Sequence, residues 1–160
     1  MPEANPRVKT LLLVCTGNTC RSPMAEALAK DLLARKHEVE VERLDDAGLR
    51  VISAGIMTAG GSPASDEAVD AMSLRGLDLS GHVSRALTPE LVRDADLILT
   101  MTRGHLEGLL TIAPEVRDRA GLLDPEGDID DPIGREAVVY QGVADRMENL
   151  LKRVLDRYSF

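Results

Sequence analysis

Aromatic residues are almost missing from this chain of 160 residues. It has no tryptophan, and Tyr140, Tyr158 and Phe160 are its whole complement, so the core must be aliphatic. Cysteine is as sparse. Cys15 and Cys20 are separated by only four residues, which excludes a secreted scaffold stapled by disulfides between distant parts of the fold. With no third cysteine, and with His37, His82 and His105 scattered, no metal-ligand cluster is expected. Long apolar runs are absent too. The longest, Leu11 to Cys15, is too short to span a bilayer or to serve as a secretory signal, so a cytoplasmic protein with no membrane partner is expected. Nor is there an excess of basic residues. Lys and Arg number 19 against 27 Asp and Glu, a formal charge of −8, which argues against a nucleic-acid surface. The nucleotide-binding strings Gly-x4-Gly-Lys-Ser/Thr and Gly-x-Gly-x-x-Gly do not occur.

What is present reads as one domain over residues 8–160 after a disordered lead, 1–7. Val8 to Val14 is nearly continuously apolar, as a strand is when helices cover both sheet faces. A helix is expected from about Cys20 to Arg35, with Met24, Ala27, Leu28 and Leu32 on one stripe. The stretch Val39 to Leu44 alternates, as does Leu49 to Ser53; the second is taken as strand two, closed by Ala54-Gly55. Ser65 is placed to cap a helix over Asp66 to Arg75 that Gly76 ends. Thr88-Pro89 opens a short helix to Arg93, Asp96 to Met101 is strand three, and Arg103 to Ile112 is a helix. Ala120 to Leu123 is a weak fourth strand, and Asp124 to Gly134 a long loop. A last helix runs from Val138 to Arg157, with Val143, Met147, Leu150, Leu151 and Val154 inward. Strands alternating with helices imply α/β architecture: a parallel sheet with right-handed crossovers, covered on both sides.

The turn after strand one carries the chemistry. It reads Cys15-Thr16-Gly17-Asn18-Thr19-Cys20-Arg21-Ser22 and lies at the carboxyl end of a parallel strand, where ligands collect. A loop curled there aims the N–H groups of residues 16 to 21 at one point, in front of a helix N-terminus that favours anions. Gly17 is expected to take a backbone angle that other residues resist. Arg21 offers a planar fork for two oxyanion oxygens. Cys15 beneath that site is a nucleophile favoured as the thiolate, with Ser22 able to donate to it. Attack on phosphorus gives a cysteinyl-phosphate. One carboxylic acid then serves both the leaving group and the later attack of water. Asp131 is the candidate, stiffened by Pro132; Asp130 and Asp128 compete, and spacing does not choose. A cysteine alone at a strand end is ordinarily core, and Asp-Pro alone is ordinarily a turn. Here they occur together with Arg21 and Ser22. His82 and His105 read as solvated or structural.

Residues 15–27, with Asp131-Pro132 far downstream, resemble the low-molecular-weight protein tyrosine phosphatase family. Ile52-Ser53-Ala54-Gly55, Gly76 with His82-Val83-Ser84-Arg85, and Asp96 to Met101 fall in the family's order. The resemblance implies three layers, α/β/α, with a four-stranded parallel sheet of flavodoxin-like type. It implies no metal or cofactor, a monomer, a phosphorylated protein as substrate, and phosphate as product or inhibitor. It implies that Asn18 braces the loop, with Ser53 and His82 as partners. Cys20 matches the second loop cysteine of many members, where it can form a reversible disulfide with the nucleophile. Thr19 stands where the tyrosine phosphatases usually carry Ile, Leu or Val, and matches the protein-arginine phosphatase branch. A hydroxyl there bonds to a guanidinium, whereas an aliphatic group packs on a phenyl ring. Ile133 stands where the family usually has Tyr or Phe as a pocket wall, and where the arginine branch usually has Phe. A phosphoarginine phosphatase is expected, with phosphotyrosine as the alternative. Thiol-dependent arsenate reduction on the related scaffold needs further cysteines, and none follows Cys20. A non-catalytic oxyanion-binding module would have no use for nucleophile, arginine and acid together.

Overall fold

Strand β1 (Lys9–Cys15) is buried from Thr10 onward, because it runs through the middle of a sheet with helices on both faces. The computed structural model describes residues 7–160. The sheet order is β2 (Leu49–Gly55), β1, β3 (Leu97–Thr100), β4 (Ala120–Leu122), and every pair is parallel. The helices are α1 (Arg21–His37), α2 (Asp66–Ser73), α3 (Pro89–Asp94), α4 (Arg103–Ile112) and α5 (Ala137–Arg157).

The period-two pleat of β1 divides the core. Leu11, Leu13 and Cys15 face the layer of α1, α2 and α5, meeting residues such as Met24, Leu33, Met147 and Leu151. Leu12 and Val14 face α3 and α4, with Val92 and Leu109 opposite. Two of the three aromatics, Tyr140 and Phe160, are fully buried among these aliphatic side chains. The chain leaves β1 toward β2 on one side and returns to β3 on the other. The carboxyl ends of β1 and β3 therefore flank a crevice, the usual ligand position in such sheets.

Several boundaries differ from the sequence expectation. α1 continues to His37 because Glu38 adopts the left-handed region (φ 54°) and turns its N–H back to Ala34 and Arg35. α2 stops at Ser73; a turn through Gly76 (φ 75°) then sends the Leu77 N–H to the Met72 carbonyl. The alternating stretch after α1 is no strand. It forms a 3-10 helix, Val41–Ala47, in which only Leu44 is buried, so there is no face to lay against the sheet. A second 3-10 helix, Pro114–Arg119, gave no separate signal in the sequence. The expected lead, 1–7, lies outside the described residues except for Arg7, whose exposed guanidinium pairs with Asp96. No helix among the described residues is long and apolar enough to cross a membrane.

Candidate active site

The loop from Cys15 to Arg21 joins β1 to α1. Ser65, Thr88 and Thr102 cap α2, α3 and α4 with their hydroxyls. The N-cap of α1, Cys20, makes no side-chain cap hydrogen bond, and no acidic residue lies in the first turn. Its first N–H groups and positive dipole end are therefore directed at the loop. The expected left-handed residue is not Gly17, which is absent from the positive-φ positions. Asn18 takes that role at φ 58°, since its short polar side chain bonds locally and tolerates the region.

Asn18 is fully buried and organises the loop. Its Nδ2 donates to Ser22 Oγ at 2.8 Å and to Ser53 Oγ at 2.9 Å, and its Oδ1 accepts from the Arg85 N–H at 2.9 Å. Its carbonyl accepts from His82 Nε2 at 2.8 Å, which places the His82 proton on that nitrogen. The Ser53 hydroxyl in turn donates to Glu26 Oε1 at 2.8 Å. Ser22, already accepting from Asn18, has its proton free for Cys15 Sγ at 2.8 Å. The Asn18 N–H also donates to that sulfur at 3.3 Å. Both expected partners thus meet Asn18, Ser53 at its side-chain amide and His82 at its backbone carbonyl, while Ser22 and the Asn18 N–H are the two donors that end on Cys15.

Arg21 is buried, yet its guanidinium reaches the same place. Nη1 donates to the Ile129 carbonyl at 2.8 Å, Nη2 donates to Thr16 Oγ1 at 3.3 Å, and Nη2 lies 3.4 Å from Asp131 Oδ2. The long loop that brings Asp131 is fastened from several sides. Arg146 of α5 ion-pairs with Asp124 and donates to the Asp128 carbonyl, and this guanidinium holds the Asp124 carboxyl below the ordinary carboxylate range. The Ile129 N–H donates to Met101, just beyond β3. Asp128 accepts from the Arg103 N–H at 2.8 Å, at the start of α4. Asp131 Oδ1 accepts from the Ile133 N–H across Pro132, which aims the other oxygen inward. Of the three competing aspartates, Asp131 is the one that lines the cavity.

That cavity has about 110 Å³ and is lined by Cys15, Thr16, Gly17, Thr19, Cys20, Arg21, Asp131 and Ile133. It is several times one water's share of liquid volume and suits a tetrahedral oxyanion. A larger hollow of about 300 Å³, lined by Glu26, Lys30 and His82 among others, contains no nucleophile; chemistry rather than size locates the site. Ile133 is 61% exposed at the mouth. Cys20 donates to Ser65 Oγ at 3.4 Å and lies 3.5 Å from Tyr140 Oη. Burial first, and the bond to Cys20 second, push Tyr140 up to about 12.

Sequence reasoning missed four contributors. Glu26 anchors Ser53, and its only signal was its place in the string after Pro23. Arg85 supplies a backbone donor that no side-chain pattern reveals. Gly55 lets the end of β2 approach the loop: a Cβ there would sit 2.7 Å from the Thr16 carbonyl and 3.0 Å from the Asn18 nitrogen. His105 contacts Thr16 at 2.8 Å from α4; its place just after β3 was the available clue. Among the described residues, no three His, Cys, Asp or Glu side chains gather as a metal site.

A thiol under hydroxyl and amide donors, an arginine fork and a carboxyl on one small cavity define a cysteine-dependent phosphatase architecture. The model of the family described as low molecular weight phosphotyrosine protein phosphatase matches residues 10–158, and this chain belongs to that family. It is 36% identical over 149 residues to a protein-arginine-phosphatase of Bacillus subtilis (strain 168), covering 90% of this chain and 93% of that one. It is 33% identical over 159 residues to the low molecular weight protein-tyrosine-phosphatase Etp of Escherichia coli (strain K12), covering 98% and 99%. Its fold matches that of a YwlE arginine phosphatase mutant with a phosphorylated active-site serine: TM-score 0.82, 34% identity, 94% of this chain and 95% of that one.

Proposed function

We propose that residues 8–160 act as one phosphatase domain that removes phosphoryl groups from arginine in proteins. The observation that carries the mechanism is the convergence of Cys15, Arg21 and Asp131 on one oxyanion-sized cavity. Cys15 Sγ attacks phosphorus in line, forming an S–P bond as the bond from phosphorus to the leaving atom breaks. The Asp131 carboxyl gives that atom a proton. Asp131, now a carboxylate, takes a proton from water, whose oxygen attacks the cysteinyl-phosphate. The S–P bond breaks, inorganic phosphate leaves, and Ser22 and the Asn18 N–H receive the thiolate again. Arg21 and the N–H groups of residues 16 to 21 balance the charge on the transferring oxygens. The phosphorylated protein is the partner, and the enzyme works as a cytoplasmic monomer.

The preference for arginine rests on Thr19. It sits on the cavity lining with its hydroxyl next to Cys20 Sγ, where it can accept from a guanidinium N–H. Ile133 presents an aliphatic wall in place of an aromatic one, which removes the stacking surface a phosphotyrosine ring would use. The test is kcat/KM on matched phosphoarginine and phosphotyrosine peptides, for wild type and Thr19→Ile. Wild type should favour phosphoarginine, and the substitution should move the ratio at least tenfold toward phosphotyrosine. An unchanged ratio removes Thr19 as the selector.

A further inference from the structure

His105 is a titratable side chain packed against the loop that the mechanism above leaves without a task. It stands in the first turn of α4, is 7% exposed, and holds Nε2 2.8 Å from Thr16 Oγ1. Its other nitrogen, Nδ1, is buried with no hydrogen-bond partner among the described residues. Burial first, and then the Arg21 charge, push its pKa down to about 4 against the opposing pull of Asp128 and Asp131. The ring is neutral near pH 7, so one nitrogen donates and the other accepts.

Two arrangements fit the contact. In one, Thr16 spends its only proton on Nε2, which strands a buried Nδ1–H. In the other, Nε2–H donates to Thr16 Oγ1, and Nδ1 keeps only a lone pair. A stranded buried N–H is the rarer fault in native proteins. Thr16 Oγ1 also accepts from Arg21 Nη2 at 3.3 Å. With Nε2–H as a second donor, both acceptor positions of that oxygen are filled. Its own O–H must then point elsewhere, and Thr16 lines the cavity beside Cys15.

We propose that His105 is a positioning residue: by donating from Nε2 to Thr16 Oγ1, it makes the Thr16 hydroxyl a fixed donor to the phosphoryl group held over Cys15. The inference rests on the phosphatase reading above. His105 touches no reacting atom. It presets the direction of a hydroxyl toward oxygens that gain charge during transfer, where preorganised donors act most strongly.

The first arm uses the whole protein with 15N-labelled histidine and inorganic phosphate. The 15N shifts of the two His105 nitrogens report which is protonated. Protonation at Nε2 is expected, and a proton on Nδ1 overturns the proposal without any need for turnover. The second arm is kinetic. His105→Leu and Thr16→Val should each lower kcat/KM by about 10- to 100-fold, the value of a hydrogen bond to a charged group. The double variant should lose no more than either single one. His105→Gln, which carries an amide donor close to the Nε2 position, should recover most of the rate. Additive losses, or equal losses for Leu and Gln, refute the relay. If wild type releases no phosphate from phosphorylated peptides, the phosphatase reading fails on its own, and the tautomer measurement still decides the role of His105.

Discussion

Replacing Asn18 with alanine should damage fold and activity together, by amounts that the structure allows to be worked out. The Asn18 amide makes three hydrogen bonds, to Ser22, Ser53 and the Arg85 N–H. After truncation Ser22 still reaches Cys15, and Ser53 still reaches Glu26. The Arg85 N–H loses its acceptor, and stranding it costs about 1–3 kcal/mol. Alanine must also hold the left-handed conformation at φ 58°, which costs about 1–2 kcal/mol. The sum is about 2–5 kcal/mol, and at roughly 2–4 °C per kcal/mol for a chain of this size the melting temperature should fall by about 5–20 °C. The rate should fall further than stability suggests, because Ser22 loses the donor that fixes its proton on Cys15; misplacement of this kind costs about 100-fold. Asn18→Gly separates the two effects. It relieves the backbone strain and should recover about 1 kcal/mol, while its kcat/KM stays as low as that of the alanine variant. Thermal unfolding and phosphopeptide turnover of all three proteins test this. An alanine variant that melts within about 2 °C of wild type and keeps its kcat would refute the bracing role.

Arg21→Lys should lose at least 100-fold in kcat/KM, because a point charge cannot span two oxygens or hold the Ile129 carbonyl and Thr16 together; turnover within tenfold of wild type would contradict the cradle. Asp131→Asn should slow turnover by about 100- to 10,000-fold while Cys15 is still alkylated by iodoacetamide, and Asp130→Asn should stay near wild type; a larger effect at Asp130 would move the acid. Gly55→Ala should destabilise by about 1–3 kcal/mol and impair turnover, since its Cβ meets loop backbone at 2.7 Å; a denaturant midpoint equal to wild type would show that the strand end yields easily. His105 titrates near 6.5 unfolded and about 4 folded, so between these values the unfolded state binds more protons. The stability it contributes is present above about pH 6.5 and fades toward pH 4, by on the order of 3 kcal/mol. Urea unfolding between pH 4 and 7.5 should therefore show a steeper acid loss for wild type than for His105→Leu, and parallel curves would count against the buried neutral ring.

Much of the scaffold was legible because its signals are local. Burial on both faces of β1 shows as an unbroken apolar run. The caps at Ser65, Thr88 and Thr102 belong to helices whose starts are marked by hydroxyl residues or proline. The 3-10 helix Val41–Ala47 was obscured because Val39 to Leu44 alternates as a half-buried strand would, whereas in the fold only Leu44 of that helix is buried. Gly17 misled for a similar reason. Glycine is the usual left-handed residue, but here the surrounding donors and acceptors hold Asn18 in that conformation instead.

Cys15, Arg21 and Ser22 lie within eight residues at a strand-to-helix turn, so their partnership is fixed by chain geometry and is readable from the sequence alone. Glu26 follows that turn in α1, whereas Asp131, Gly55, Arg85 and His105 are brought to it from distant segments. Their roles depend on the parallel register of β1 with β2 and β3 and on loops fastened by Arg146 and Met101. Sequence spacing carries no information about distances of that kind. Packing of the two helical layers against the sheet sets them, and only the folded chain shows which of three aspartates reaches the cavity and which histidine meets Thr16.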